Sequence, residues 1–318
     1  MIWKLRKRKE WMWVQKSRLD WALKGDRNTK FFHIMATKRH NKNLIASIMV
    51  NGVDVEEPSE VKQAVCHHFQ NLFIEHWRFR PSIGGEFKKI EATQAGDSLE
   101  REFTEEEVWA AIKECDGHKA PVLDGFNMLF FQKSWKLLKG DIMKFMKEFY
   151  SNSKLGYGVN CSFVTLIPKN NNPNSLIDYR PISLTNSPYK VLSKVLANRI
   201  KLVLPSVIDK VQSSFVGGRN IMDGVLIANE VVDWWKKSKK RGLILKMDFQ
   251  KAYDTVNWNC LLLMLSSFGF GSRWIRWMKE CLESARISIL VNGSPSAEFS
   301  PQKELRQGDP LLSFLFLV

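Results

Sequence analysis

The stretch Asp248-Phe249-Gln250-Lys251-Ala252-Tyr253-Asp254 sets two carboxylates six positions apart, with an aromatic ring five residues after the first. Asp248 closes a nearly continuous apolar run, Leu243 to Met247, which reads as a central buried strand with an acid at its tip. Burying a bare carboxylate costs several kcal/mol, so such an acid must be solvated, paired or metal-bound. A Mg²⁺ ion that also binds substrate phosphates needs one or two protein carboxylates, and substrate oxygens and water complete its shell. Phosphate chemistry is therefore one reading of Asp248. An ordinary strand-end or helix-capping aspartate fits the spacing equally well.

The elements on either side have to position this stretch. Thr104-Glu105-Glu106-Glu107 predicts a helix start, with Thr104 as N-cap, Glu107 reaching back to it, and Phe103 and Val108 in the staple positions. Val108, Ala111, Ile112 and Cys115 mark one face of that helix. A long helical pattern runs from Asn127 to Tyr150, with a kink expected at Gly140. Phe163 to Ile167 and Tyr179 to Leu184 read as extended pieces. A helix opens at Pro188, capped by Ser187, and stops at Pro205. Another follows Gly217-Gly218-Arg219 and ends in the basic cluster Lys236 to Arg241. Two more run over 258–268 and 273–284, and Asn292-Gly293 then signals a hairpin between Arg286–Val291 and Ala297–Phe299.

Upstream, residues 1 to 45 form a basic, tryptophan-rich helical pattern broken near Gly25-Asp26-Arg27-Asn28. Ile45 to Val55 alternates like a hairpin turning at Asn51-Gly52, and Pro58 opens a helix through Phe73. Pro81, Gly84, Gly85 and Gly96 punctuate an aperiodic stretch that reads as a linker. The expected division is residues 1–98, a basic helical region with a hairpin, and residues 99–318, an α+β domain.

Composition narrows the function classes. The 318 residues are 44% hydrophobic, enough for a substantial core, and carry a formal charge of +15. Residues 1–42 hold thirteen Lys and Arg against three acids, so most of that excess sits at one end. A concentrated basic segment faces a polyanion, nucleic acid first, or is simply a solvated helix face. Trp3, Trp11, Trp13 and Trp21 lie among these cations, where they could stack on bases or pack in a core. The five cysteines form no C-x-x-C pair, which speaks against structural zinc and against a disulfide partner. No apolar run is long enough to span a bilayer, so no membrane partner is expected and the nucleus or cytoplasm is the expected location.

Several motifs share one family resemblance. Lys246 to Asp254 closely resembles motif A of LINE-type, non-LTR retrotransposon reverse transcriptases, and Leu305-Arg306-Gln307-Gly308-Asp309-Pro310-Leu311 resembles their motif B. Ile167-Pro168-Lys169 and Asp178 to Leu184 look like their fingers motifs. Lys119 to Phe126 resembles the loop before the fingers, and Gln212 to Arg219 the element between fingers and palm. Residues 11–73 are similar to the region joining endonuclease to polymerase in plant-type elements. Each motif alone is short, but six occur in the family's order along nearly the whole chain.

The resemblance implies reverse-transcriptase fingers and a partial palm, preceded by a basic helical linker region. It implies Mg²⁺-dependent transfer of deoxynucleotides to a primer 3′-hydroxyl, with an RNA template, a DNA primer and deoxynucleoside triphosphates as partners. Asp248 would be the catalytic carboxylate and, with the carbonyl of Phe249, a metal ligand. Tyr253 would sit under the sugar, Lys169 and Arg180 would reach the triphosphate, and Gln307 and Gly308 would line the nucleotide pocket. Lys7, Arg8, Lys16, Arg18 and Arg219 are candidate nucleic-acid contacts.

Departures from the family pattern matter as well. Val122-Leu123 replaces a Gly-Pro pair, and Leu311-Leu312-Ser313 replaces Leu-Ser-Pro. Lys303-Glu304-Leu305 replaces Arg-Gly-Leu, so Glu304 is expected to be strained if that glycine serves a positive φ. The motif C aspartates and the thumb are not in the sequence up to Val318, which predicts a chain inactive on its own. The alternative is a non-catalytic remnant that binds nucleic acid. An intron-encoded maturase would share the palm logic, but the match over 11–73 disfavours it.

Overall fold

The structure, a computed structural model, describes residues 29–50, 52–77, 80, 83–90, 97–119, 121–239, 241–249 and 251–318. The basic candidates Lys7, Arg8, Lys16 and Arg18 lie outside the described residues.

A four-stranded sheet organises the molecule. Strand β3 (Cys161–Pro168) lies between antiparallel β4 (Tyr179–Thr185) and parallel β5 (Arg286–Val291), and β6 (Ser294–Pro295) follows β5 in the order β4-β3-β5-β6. The β5–β6 turn uses left-handed Asn292 (φ 51°) and Gly293 (φ 85°), the pair that matches strand twist in a two-residue loop. Burial alternates along β3 with Ser162, Val164 and Leu166 inward. The opposite face carries Thr165 opposite Ile182 and Ile167 opposite Arg180.

The inward face is covered from the N-terminal side. After α1 (Thr29–Asn43), the short hairpin β1 (Ile48–Val50) and β2 (Val53–Val55) leads into α2 (Pro58–Phe73). Val61, Val65, Phe69 and Phe73 recur at helical spacing and pack with Val164, Leu166, Ile287 and Ile289 in one core. Asn292 at the β5–β6 turn exchanges two 2.9 Å hydrogen bonds with the backbone of Ile45. The boundary expected near residue 98 therefore does not divide the core. A sheet face rich in Ile and Val needs cover, and α2 supplies it.

A second core is helical. It gathers α3 (Glu105–Glu114), α4 (Met128–Lys133), α5 (Trp135–Asn152), α6 (Ser187–Val207), α8 (Trp258–Ser267) and α9 (Ser272–Glu283) around buried Tyr189, Leu192, Leu196, Trp274 and Trp277. Thr104 caps α3 through Glu107 N–H at 3.3 Å, as the sequence predicts, and Phe103 and Val108 are both buried. Only half of the capping box forms, because Glu107 turns to the buried Arg199 at 2.7 and 2.8 Å. A guanidinium taken out of water requires a carboxylate more than a helix end does.

Other expectations are corrected. The long helix breaks at Ser134, not at Gly140, where the end of α4 is followed directly by α5. Helix α6 starts at Ser187 and continues past Pro205 to Val207, and its Ser187 N–H is capped at 2.9 Å by Asp124 from the loop before α4. The largest correction concerns Leu243 to Asp248. Residues 241–249 run as irregular, exposed chain, with Leu243 88% exposed. An apolar run becomes a buried strand only with ladder partners, and the sheet described here includes none for it. Helix α7 (Ile221–Ser238), just upstream, likewise buries none of its residues.

If α2 and the sheet share one core, Phe69→Ala should destabilise the protein by about 3–5 kcal/mol. Urea denaturation checks this, and a loss below about 1 kcal/mol would show that the sheet stands without α2.

Candidate active site

Motif A and motif B meet through their backbones. Leu305 N–H donates to Tyr253 O at 2.8 Å and Glu304 N–H to Val256 O at 3.0 Å. The chain then turns over Arg306 to Asp309, closed by Asp309 N–H on Arg306 O at 3.0 Å, and Ser183 N–H of β4 donates to Gln307 O at 2.7 Å. Gly308 sits in this turn at φ 108°, and a Cβ there would lie 2.8 Å from Ser183 O. Backbone conformation and close approach both demand glycine. Gln307 Nε2 donates to Asp254 Oδ1 at 3.1 Å. Burial pushes the Asp254 carboxyl above its usual range, while Gln307, Lys251 and Lys169 pull it back.

The turn is anchored from behind by Arg306. This buried side chain donates to Asn160 Oδ1 at 2.7 Å, Cys281 O at 3.3 Å and Asp309 Oδ2 at 3.2 Å. Its guanidinium lies 4.5 Å from the Tyr189 ring centroid, a cation–π arrangement. Tyr189 Oη donates to the same Asp309 oxygen at 2.8 Å, and burial pushes that hydroxyl well above its usual range, keeping it a donor. β3, α6 and α9 thereby converge on one turn.

Glu304 precedes this anchor. It is buried at φ 113°, and its Oε1 has no hydrogen-bond partner among the described residues. The strain expected from its Gly-replacing position is thus present. Burial pushes its carboxyl up to about 8, against the pull of Arg306. The indole of Trp258 donates to its backbone carbonyl at 2.7 Å, which holds the residue in place.

The sequence-derived candidates fall into two groups. Gln307, Gly308 and Tyr253 come together, and Tyr253 stacks edge-on against Phe316 at 4.7 Å. Lys169 Nζ donates to Ile177 O at 2.6 Å at the β3–β4 end, and Arg180 is exposed opposite Ile167. Asp248 and Phe249 instead lie on the exposed 241–249 segment, Phe249 being 72% exposed. Arg219 is engaged within the fold. Its guanidinium donates to the carbonyls of Ile208 (3.0 Å), Gln212 (2.6 Å) and Asp209, closing the C-terminal end of α6. Sequence reasoning missed Arg306, Asp309 and Lys251 as site-forming groups. The only signal for the first two was their place on either side of Gln307-Gly308.

Reverse transcriptases generally use a divalent metal, and the fit of this chain to one can be tested on its donors. Among the described residues no group of three His, Cys, Asp or Glu side chains is placed to hold an ion. Asp254 is already engaged by Gln307. With Asp248 and Phe249 on the exposed 241–249 segment, the arrangement does not fit the expected metal site.

Glu304 generates a pH-dependent expectation. Its folded-state value near 8 lies above the ordinary 4.5, so the folded state binds the extra proton between these limits. Stability from this group is full below pH 4.5 and falls as pH rises to 8, by up to about 1.4 kcal/mol per unit. Glu304→Gln should flatten this slope, and Glu304→Gly should also relieve the φ strain and raise the melting temperature at pH 8. Denaturation at both ends of the range checks both, and parallel wild-type and Glu304→Gln profiles would refute the assignment. Gly308→Ala should cost about 1–3 kcal/mol through the clash and the positive φ, measured in the same way.

Residues 167–318 match the family model described as reverse transcriptase (RNA-dependent DNA polymerase). The chain is 27% identical over 312 residues, 95% of its length, to the transposon TX1 uncharacterized 149 kDa protein of Xenopus laevis. It is 23% identical over 257 residues, 78% of its length, to the retrovirus-related Pol polyprotein from type-2 retrotransposable element R2DM of Drosophila melanogaster. A type-1 element R2 Pol polyprotein of Popillia japonica is 25% identical over 48% of the chain. The chain spans only 21–23% of the length of these relatives. Residues 167–318 thus match the reverse transcriptase family, and the chain is similar along most of its length to proteins of transposable elements.

Proposed function

We propose that this domain serves RNA-directed DNA synthesis, and that the chain as given presents the nucleotide-positioning side of the site without polymerising on its own. The observation that carries the reading is the turn at Gln307-Gly308, pinned to Ser183 of β4 and to Asp254 after motif A. In this reading β3 and β4 belong to the fingers, and the Tyr253 to Asp309 constellation belongs to the palm. Tyr253 lies under the sugar of an incoming deoxynucleotide, its ring excluding a 2′-hydroxyl. Lys169 and Arg180 meet the triphosphate. Asp248 is the catalytic carboxylate in this reading, and the exposed segment that carries it supports a chain that does not polymerise on its own.

The chain retains a strong positive charge, +15 overall, so binding to RNA or DNA is expected even without synthesis. Filter binding across a salt series should show affinity falling steeply with salt. Primer extension on an RNA template should show no incorporation. Robust incorporation that Asp248→Ala abolishes would overturn the inactivity, and absence of any nucleic-acid binding would overturn the binding role.

A further inference from the structure

We propose that Glu75 is a positioning residue of the nucleotide site, a clasp that holds the junction of motif A and motif B from outside the matched family region. The inference deepens the nucleotide-site reading above, and its functional side rests on that reading.

The junction is a short two-chain ladder. Asn257 pairs with Lys303 in an antiparallel bridge, next to the hydrogen bonds from Glu304 to Val256 and from Leu305 to Tyr253. A ladder this short is marginal by itself, and a slip would carry Tyr253 away from the Gln307–Gly308 turn. Residues 73–75, at the end of α2 and just past it, hold both of its sides. On the motif A side, Glu75 Oε2 accepts from Asn257 Nδ2 at 2.7 Å. On the motif B side, Glu75 N–H donates to Gln302 Oε1 at 3.1 Å, and Gln302 N–H donates to Phe73 O at 2.9 Å.

Both partners are committed to this contact. Asn257 Oδ1 caps α8 by accepting from Cys260 N–H at 2.9 Å, so its amide group has to point towards Glu75. The Glu75 side chain is only 16% exposed. Trp77 N–H (3.0 Å) and Arg80 Nη2 (2.8 and 3.1 Å) fix its carboxylate in one orientation. The Arg80 guanidinium lies in turn 5.4 Å from the Trp77 ring centroid. A carboxylate held in this way is a rigid acceptor, unlike a solvated surface charge. Since α2 also covers the sheet, the clasp ties that cover to the site.

The test combines amide hydrogen exchange with calorimetric titration of dTTP, on the full chain at a temperature where every variant is folded. Glu75→Ala should speed exchange over residues 303–306 about tenfold, since a charge-assisted contact is lost, and should weaken dTTP binding. Asn257→Asp keeps a residue able to cap α8 but sets one carboxylate against another, and should weaken dTTP binding about tenfold. Glu75→Gln combined with Asn257→Asp reverses the polarity of the bond and should return both readings to within about threefold of wild type. Affinity measured on folded protein does not follow global stability, so this recovery reports geometry. Unchanged exchange in Glu75→Ala overturns the clasp. Faster exchange with unchanged dTTP affinity overturns the positioning role, as does a double variant that recovers neither reading. No dTTP binding by the wild-type chain would remove the nucleotide reading, and exchange alone would then uphold or overturn the clasp.

Discussion

The turn that carries Gln307 and Gly308 stands on a guanidinium removed from water. A buried cation of this kind must be neutralised and must spend its donors, or the fold loses several kcal/mol. Arg306 meets that demand with Asp309, Asn160, the Cys281 carbonyl and the Tyr189 ring, and each partner comes from a different part of the chain. The constraint works in both directions. The helices cannot repack without stranding the charge, and the turn cannot shift without leaving its anchors. Gln307 and Gly308 inherit that rigidity, as residues that position a substrate require.

A second constraint is the cover of the sheet. β3 to β5 present Val164, Leu166, Ile287 and Ile289 on one face, and α2 with the β1–β2 hairpin closes over them. The other face holds exposed Arg180, and Ile182 on it lies beside Gly308. One face for stability and one for chemistry is the usual economy of a mixed sheet. The segment from Ile45 to Phe73 consequently shares the core of the sheet.

The opposite situation holds at α7 and residues 241–249. Ile221, Leu226, Ile227, Leu243 and Leu245 are exposed on consecutive elements. Their pattern is that of a core helix and a core strand, yet the described residues give them no partner surface. Apolar patches of this extent favour association. Asp248 lies on this exposed segment, and a carboxylate is fixed only as firmly as the backbone that carries it.

Much of the architecture was legible in the sequence because its causes are local. Thr104 ahead of three glutamates, Pro58 at a helix start and Asn292-Gly293 between β-prone runs act through neighbours a few residues away. The family resemblance singled out Gln307, Gly308 and Tyr253, and the glycine-like position of Glu304 showed as a strained φ. Tertiary structure alone decided where Glu107, Arg219 and Asp254 spend their polar groups, each on a partner that short-range rules do not name. It also decided that the core runs through the expected boundary at 98 and that Leu243 to Asp248 is not a strand here. The reason is physical: caps and turns are satisfied within a few residues, whereas buried charges and strand ladders depend on groups brought together from distant parts of the chain.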